Sequence, residues 1–214
     1  MSGEAEPRLV LGSSSPRRAA LLSGLGLRFA VRPPDVPETL EPGELPAVAA
    51  RRLATEKARA VPRDADEVVI AADTIVALGD ESLGKPTDAG AAVRMLLALA
   101  GREHEVFTGV AVARGDAVRT GVERTMVTFR PLARSECAEY VATGEPLDKA
   151  GAYAIQGRGA ALVERIDGDY SNVVGLPVRL LLTLLARHGL RYDFAGLRRG
   201  LRPADGPPGP GGTP

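Results

Sequence analysis

The sequence has little of several residue types, and each scarcity excludes a class of protein. Its 214 residues include one cysteine, Cys137, which excludes an internal disulfide framework and a zinc site built from cysteines. His104 and His188 share no spacing typical of metal ligands, so we expect both to be structural or exposed. The longest aliphatic run, VRLLLTLLARHGL, contains arginines and is too short to span a bilayer. The N-terminal stretch does not have the pattern of a secretory signal, so we expect a soluble protein of a reducing compartment with no membrane partner.

An excess of charge of one sign is also missing. The 27 Lys and Arg residues balance 27 Asp and Glu residues, which argues against a general nucleic-acid binder. Lysine is rare, occurring only as Lys57, Lys85 and Lys149, so nearly all positive charge is arginine. With 44% hydrophobic residues the chain can bury a sizeable core, and we expect one domain over residues 1–201. The Gly/Pro-rich residues 202–214 are predicted to be disordered.

Strand and helix patterns alternate along the chain. They predict strands near 8–12, 27–32, 67–78 and 160–166, helices near 16–25, 44–61, 88–100, 134–143 and 176–188, and an antiparallel hairpin turning at Gly115-Asp116. The run EVVIAADTIVAL is nearly all apolar, which indicates a strand buried on both faces. This order of elements predicts an α/β protein with a mixed sheet.

The stretch LGSSSPRRAALLSGLG is typical of a strand that turns into a helix. Ser15 is a good N-cap and Pro16 a good first helical residue, so free backbone N–H groups are expected at the helix start. Ser13, Arg17 and Arg18 surround these groups, and the combination suits an anion such as a phosphate. The alternative is a capped surface helix with solvated arginines.

Two polar residues, Asp73 and Thr74, interrupt the most apolar strand of the sequence. An unpaired carboxylate in such a place costs several kcal/mol, so Asp73 needs a cation or a set of hydrogen-bond donors. Asp73 is either satisfied by backbone N–H groups in a bend, or it acts as a metal ligand or base at the end of a central strand. The desolvation cost favours the functional interpretation.

Three further stretches contain candidate binding residues. GDESLGKP nearly matches a phosphate-binding P-loop but ends in proline, so Lys85 is expected to meet a phosphate only as a point charge. In the glycine-rich residues 148–177, the Gln156 amide can read the edge of a base, although the stretch is alternatively a tight connection. Glu38, and Lys57 on a predicted helix, are weak signals alone, since a helical lysine usually lies on a solvated face.

Taken together, these blocks resemble the Maf family of nucleoside triphosphate pyrophosphatases. The resemblance covers about residues 8–188 and is carried, in the family's order, by SSSPRRAALLSGLGL, LATEKARAV, AADTIVAL, LGKP, GVAV, DKAGAYAIQGRGA and IDGDYSNVVGLP. It implies an elongated, two-lobed, inosine-triphosphatase-like α/β fold, with a mixed twisted sheet flanked by helices and a central cleft. It also implies hydrolysis of a nucleoside triphosphate to the monophosphate and pyrophosphate, a divalent cation (Mg²⁺ or Mn²⁺), a cytoplasmic location and a homodimer.

The resemblance also implies roles for individual residues. Asp73 and Lys85 are the expected catalytic residues, with Asp73 as proton acceptor, and Glu38 and Asp73 are the expected metal ligands. The expected substrate-binding residues are Ser13, Ser15, Arg17, Arg18, Lys57, Thr74 and Gln156, of which Arg17, Thr74 and Gln156 govern specificity. The block DKAGAYAIQG is similar to the dTTP/UTP branch of the family. The alternatives are a 7-methyl-GTP pyrophosphatase and a nucleotide-binding regulator of cell division without necessary turnover.

Overall fold

The computed structural model describes residues 7–200, so the predicted disordered tail lies outside the described residues. The strands are β1 Arg8–Leu11, β2 Phe29–Val31, β3 Glu67–Leu78, β4 Glu81–Leu83, β5 Glu103–Arg114, β6 Ala117–Phe129, β7 Val163–Asp167, β8 Leu190–Tyr192 and β9 Leu197–Arg199. The helices are α1 Pro16–Gly24, α2 Pro46–Ala60, α3 Ala89–Leu99, α4 Arg134–Ala142, α5 Tyr170–Val174 and α6 Val178–Ala186. None of these helices is long and apolar enough to cross a membrane.

A mixed sheet runs in the order β2-β1-β3-β5-β6-β7, with β4 paired to β3 beside this path. β1 is parallel to both β2 and β3, whereas the pairs of β3 with β4 and β5, of β5 with β6 and of β6 with β7 are antiparallel. The hairpin of β5 and β6 turns at Gly115-Asp116, since Arg114 pairs with Ala117. The mixed α/β architecture and this hairpin confirm the predictions from the sequence.

The C-terminal part differs from the sequence prediction. The strand predicted at 160–166 begins only at Val163, because a 3₁₀ helix occupies Gly157–Leu162. The glycine-rich stretch also contains α5, which the sequence pattern did not show. Gly175, with a left-handed φ of 119°, caps the C-terminus of this helix. β4 and the separate β8–β9 hairpin, whose strands have three residues each, were missed as well.

Local sequence explains where α1 and α3 begin. The Ser15 hydroxyl accepts a hydrogen bond from the backbone N–H of Arg18, and Pro16 supplies a fixed φ at the first helical position. The Asp88 carboxylate accepts from the backbone N–H of Ala91 at 2.7 Å. Each cap satisfies a donor that the first helical turn leaves without a partner.

The alternation of side chains along β3 builds a separate core on each face of the sheet. Val69 and Ala71 pack against the Ala54 and Ala58 side of α2. On the opposite face, a cluster that includes Ala72 packs with leucines of α1 and α6. Further along that same face, a second cluster packs with α3 and α4 and includes β3 at Val76. Thr74 occupies the position between the two clusters, so the apolar core is interrupted there by a polar side chain.

Candidate active site

A gap in the pairing of β3 creates the site. β1 pairs with β3 only as far as Ile70, and on the same edge β4 pairs with β3 only from Val76 onward. Between these two points lie Asp73 and Thr74, whose side chains point to opposite faces of the sheet because neighbouring strand residues alternate. Both residues line a cavity of about 360 Å³ that opens at this gap.

The cavity brings together all but one of the residues predicted for the site. Its lining includes Ser13, Ser15, Arg17, Arg18, Glu38, Lys57, Asp73, Thr74 and Lys85. The exception is Gln156, which is half-buried and follows the lining residue Ile155 but is not itself part of the lining. Sequence reasoning missed Tyr153 and Asp148, which also line the cavity and belong to the same glycine-rich block.

Lys57 connects the two carboxylates of the site. Its Nζ atom donates to Asp73 Oδ1 at 2.5 Å and to Glu38 Oε1 at 2.6 Å. Lys85 donates to the second oxygen of Glu38 at 2.9 Å. Asp73 is therefore satisfied by a cation, and the hydrogen bonds of the described residues give it no backbone N–H donor. This outcome excludes the alternative of a purely backbone-satisfied bend.

The general expectation that a helical lysine lies on a solvated face is wrong for Lys57. Ala50, Ala54 and Lys57 recur at helical spacing on the buried stripe of α2, and the Lys57 side chain is only 9% exposed. α2 also lies very close to the sheet, because a Cβ atom at Gly109 would come within 2.1 Å of the Ala50 carbonyl oxygen. Gly109 is paired with Asp73, so this close approach brings Lys57 within reach of the carboxylate.

The two carboxylates titrate differently. Burial alone would raise the pKa of Glu38, but hydrogen bonds from Lys57 and Lys85 outweigh it and lower that pKa to about 2. Burial raises the pKa of Asp73 above its ordinary value, even though Lys57 opposes the shift. Pairs of acids whose environments push their pKa values apart are typical of sites that hold one permanent charge and one proton acceptor.

The serine-rich turn and its two arginines have separate tasks. Arg18 donates from Nε to the Gly175 carbonyl at 2.8 Å, and from its two Nη atoms to the hydroxyls of Ser13 and Thr74 at 3.1 Å each. Burial lowers the pKa of the Arg18 guanidinium. Arg17 lines the cavity, and within residues 7–200 its guanidinium has no hydrogen-bond or ion-pair partner. Arg17 is thus the arginine of this turn that is available to an anion.

Comparison with known proteins decides the family. The family model described as Maf-like protein matches residues 8–188. This chain belongs to the Maf-like family. Proteins named dTTP/UTP pyrophosphatase from Anaeromyxobacter dehalogenans (strain 2CP-C) and Symbiobacterium thermophilum are 56% and 50% identical to it. These matches cover 86% and 85% of this chain, and 95% and 94% of the two relatives.

A solved structure supports the fold of this Maf-like chain. The structure of a HAM1 protein from Coxiella burnetii matches with a TM-score of 0.50 and 18% identity. The match covers 84% of this chain and 98% of that chain. At this identity the likeness shows the fold alone, and it confirms the mixed sheet flanked by helices.

The donor set of the site suits a hard divalent cation that is shared with a substrate. Residues 7–200 contain no group of three or more acidic, histidine or cysteine side chains placed to hold a metal ion. Glu38 and Asp73 nevertheless present two carboxylates to one point, since both contact the same Lys57 Nζ atom. Mg²⁺ is commonly held by one or two carboxylates together with substrate phosphates, so the residues present fit such an ion.

Proposed function

We propose that this Maf-like chain hydrolyses dTTP and UTP to the monophosphate and pyrophosphate. The observation that carries the proposal is the Lys57 bridge between Asp73 and Glu38 at the β3 gap, in a cavity that also contains Arg17 and Lys85. The proposal is supported by the relatives named dTTP/UTP pyrophosphatase, which are about half identical over most of the chain.

The cationic groups of the cavity match the charge of a triphosphate. The Ser13–Arg18 turn presents hydroxyls and the start of α1, where backbone N–H groups and the helix dipole favour an anion. Arg17 supplies a guanidinium that no protein group occupies among the described residues, and Lys85 supplies an exposed ammonium. Together these groups would hold the phosphates while the base extends into the rest of the cavity.

Asp73 is the proton acceptor in this proposal. A water oxygen attacks the α-phosphorus, the bond from that phosphorus to the bridging oxygen breaks, and pyrophosphate leaves with the bond's electron pair. The proton of the attacking water passes to the Asp73 carboxylate. A raised pKa makes this carboxylate a better base than an ordinary aspartate, because efficiency is greatest when the pKa approaches the working pH.

A divalent cation, Mg²⁺ or Mn²⁺, is part of the proposal. Glu38 and Asp73 would hold it together with phosphate oxygens. When bound, such an ion stabilises negative charge that develops on the phosphoryl oxygens. The pKa of about 2 keeps Glu38 ionised at any physiological pH, so one carboxylate ligand is always charged.

The pyrimidine base is assigned to Gln156 and Thr74. The Gln156 amide carries a donor that matches O4 of uracil and thymine, and its acceptor shares their N3–H group with the Thr74 hydroxyl. Glu145 holds the turn next to Gln156, because its carboxylate accepts from the backbone N–H groups of Arg158 and Gly159. The homodimer and the cytoplasmic location remain predictions from the family resemblance.

The test is the relative kcat/KM for dTTP, UTP, CTP, GTP and 7-methyl-GTP, measured with purified full chain and Mg²⁺. The proposal predicts that dTTP and UTP are the best substrates. A preference for 7-methyl-GTP would contradict the assignment to dTTP and UTP and would favour a 7-methyl-GTP pyrophosphatase. Nucleotide binding without release of pyrophosphate from any substrate would favour the regulator and contradict the proposed enzyme.

A further inference from the structure

Thr108 places a buried hydroxyl in a row of aliphatic side chains. Val106, Val110 and Val112 lie on the same face of β5, and like Thr108 they are at most 1% exposed. A valine would continue this row, so the hydroxyl requires a reason. Thr108 pairs directly with Thr74 of β3, and the two Oγ1 atoms are 3.0 Å apart.

The direction of the hydrogen bonds follows from counting protons. A threonine hydroxyl has one proton, and that of Thr108 is donated to the Asn172 carbonyl at 2.9 Å. Thr74 must therefore be the donor in its contact with Thr108. Thr74 Oγ1 also accepts from Arg18 Nη2, which can only donate. The chain of hydrogen bonds runs in one direction, from Arg18 through Thr74 and Thr108 to Asn172.

This direction limits what Thr74 can offer to a substrate. Its single proton points inward to Thr108, and one of its two lone pairs is taken by Arg18. The remaining lone pair is all that the half-buried hydroxyl can present to the cavity that it lines. Thr74 is therefore fixed as a hydrogen-bond acceptor.

We propose that Thr108 is a positioning residue that fixes the Thr74 hydroxyl as an acceptor and so selects bases that present an N–H group. Uracil and thymine carry a proton on N3, which an acceptor can receive. Cytosine has an unprotonated N3, which would face the Thr74 lone pair without a proton between them. This inference rests on the proposed function and deepens it, because it assigns the discrimination between uracil and cytosine to a residue away from the cavity surface.

The variant Thr108→Val tests the inference with little change in packing, since valine replaces the hydroxyl by a methyl group of similar size. The Asn172 carbonyl keeps a second donor, the backbone N–H of Gly175 at 2.9 Å, so it is not left unpaired. The Thr74 proton would be released and could turn toward the cavity. Thr74 could then donate to N3 of cytosine.

The expected result is a change in selectivity. The ratio of kcat/KM for UTP to that for CTP should fall by about tenfold or more in Thr108→Val, because a wrongly directed polar group discriminates strongly. Thr108→Ser restores the hydroxyl and should restore the wild-type ratio. The matched control is Thr125→Val, since Thr125 is equally buried and hydrogen-bonded to Asn172 Nδ2 but does not contact Thr74. Melting temperatures measured in parallel show that each variant folds.

The outcomes separate this inference from the proposed function. A folded Thr108→Val protein with the wild-type ratio, or with all substrates slowed alike, overturns the positioning role while dTTP/UTP hydrolysis stands. A wild-type protein that hydrolyses neither nucleotide overturns both. If Thr108→Val does not fold, Thr74→Val is measured instead, because it removes the acceptor that Thr108 is proposed to fix. The ratio of kcat/KM for UTP to that for CTP must then fall, and an unchanged ratio overturns the inference.

Discussion

Lys57 donates to Asp73 across the interface between α2 and β3, with the two side chains each only 9% exposed. The contact joins a helix on one face of the sheet to the polar interruption of a buried strand. Burial raises the pKa of Asp73 and the Lys57 ammonium opposes the rise. The balance of these two effects determines the pH at which Asp73 becomes able to accept a proton.

Replacement of Lys57 by methionine should therefore shift the pH dependence of the reaction. Without the Lys57 ammonium, less positive charge opposes the effect of burial, so the pKa of Asp73 rises further. The acidic limb of the plot of kcat/KM against pH then moves to higher pH. In the wild type Glu38 does not produce this limb, because its pKa of about 2 lies well below the working range, and in the variant Lys85 still donates to Glu38. The control is Arg59→Met on the exposed side of α2. An acidic limb that stays in place in Lys57→Met would show that Asp73 is not the titrating group.

The two arginines of the α1 turn should respond differently to alanine substitution. Arg18→Ala removes donors to Ser13, Thr74 and Gly175, so it should lower the melting temperature as well as kcat/KM. Arg17→Ala removes no side-chain hydrogen bond or ion pair within the described residues, so it should raise KM while the melting temperature changes little. Thermal unfolding and steady-state kinetics of both variants check this. Equal losses of stability in both would contradict the division of tasks.

Glu67 provides a test of stability that is independent of the site. It is buried at the start of β3, where the guanidinium of Arg32 and the backbone N–H of Asp64 hold its pKa at about 2. A lowered folded-state pKa gives stability that is present above the unfolded pKa, about 4.3, and is lost as the pH falls toward the folded value.

Glu67→Gln should lower the free energy of unfolding near neutral pH by about 1–2 kcal/mol, since charged hydrogen bonds are replaced by neutral ones. The difference from wild type should shrink as the pH is lowered through the acid range. Urea unfolding at several pH values measures it, with the exposed Glu164→Gln as control. If the difference in the free energy of unfolding between Glu67→Gln and the wild type does not depend on pH, the charge of Glu67 is not what stabilises the start of β3.

Local signals in the sequence predicted much of the fold. Ser15 and Pro16 marked the start of α1, and the apolar run at 67–78 matched β3 residue for residue. Gly115-Asp116 marked the turn between β5 and β6. These features depend on neighbours in the chain, so a single sequence shows them.

The remaining parts depend on contacts between distant residues. No local pattern shows that Lys57 points inward, because this follows from the close approach of α2 to Gly109. Thr108 looks like any strand threonine until Asn172, 64 residues away in the sequence, is found beside it. Gln156 follows a cavity-lining residue but is not itself part of the lining. This position depends on the hydrogen bond from the Gly159 backbone N–H to Glu145, which holds the glycine-rich loop.

The most direct test of the account is hydrolysis of dTTP by the full chain with Mg²⁺ in ¹⁸O-labelled water, with Asp73→Asn measured alongside. Mass spectrometry of the products should show equal amounts of dTMP and pyrophosphate, with the label in dTMP. Asp73→Asn should fold normally and be at least about a hundredfold slower, since a positioned base commonly contributes that much. Formation of dTDP and phosphate, label in the pyrophosphate, or near-normal turnover by folded Asp73→Asn would contradict the account.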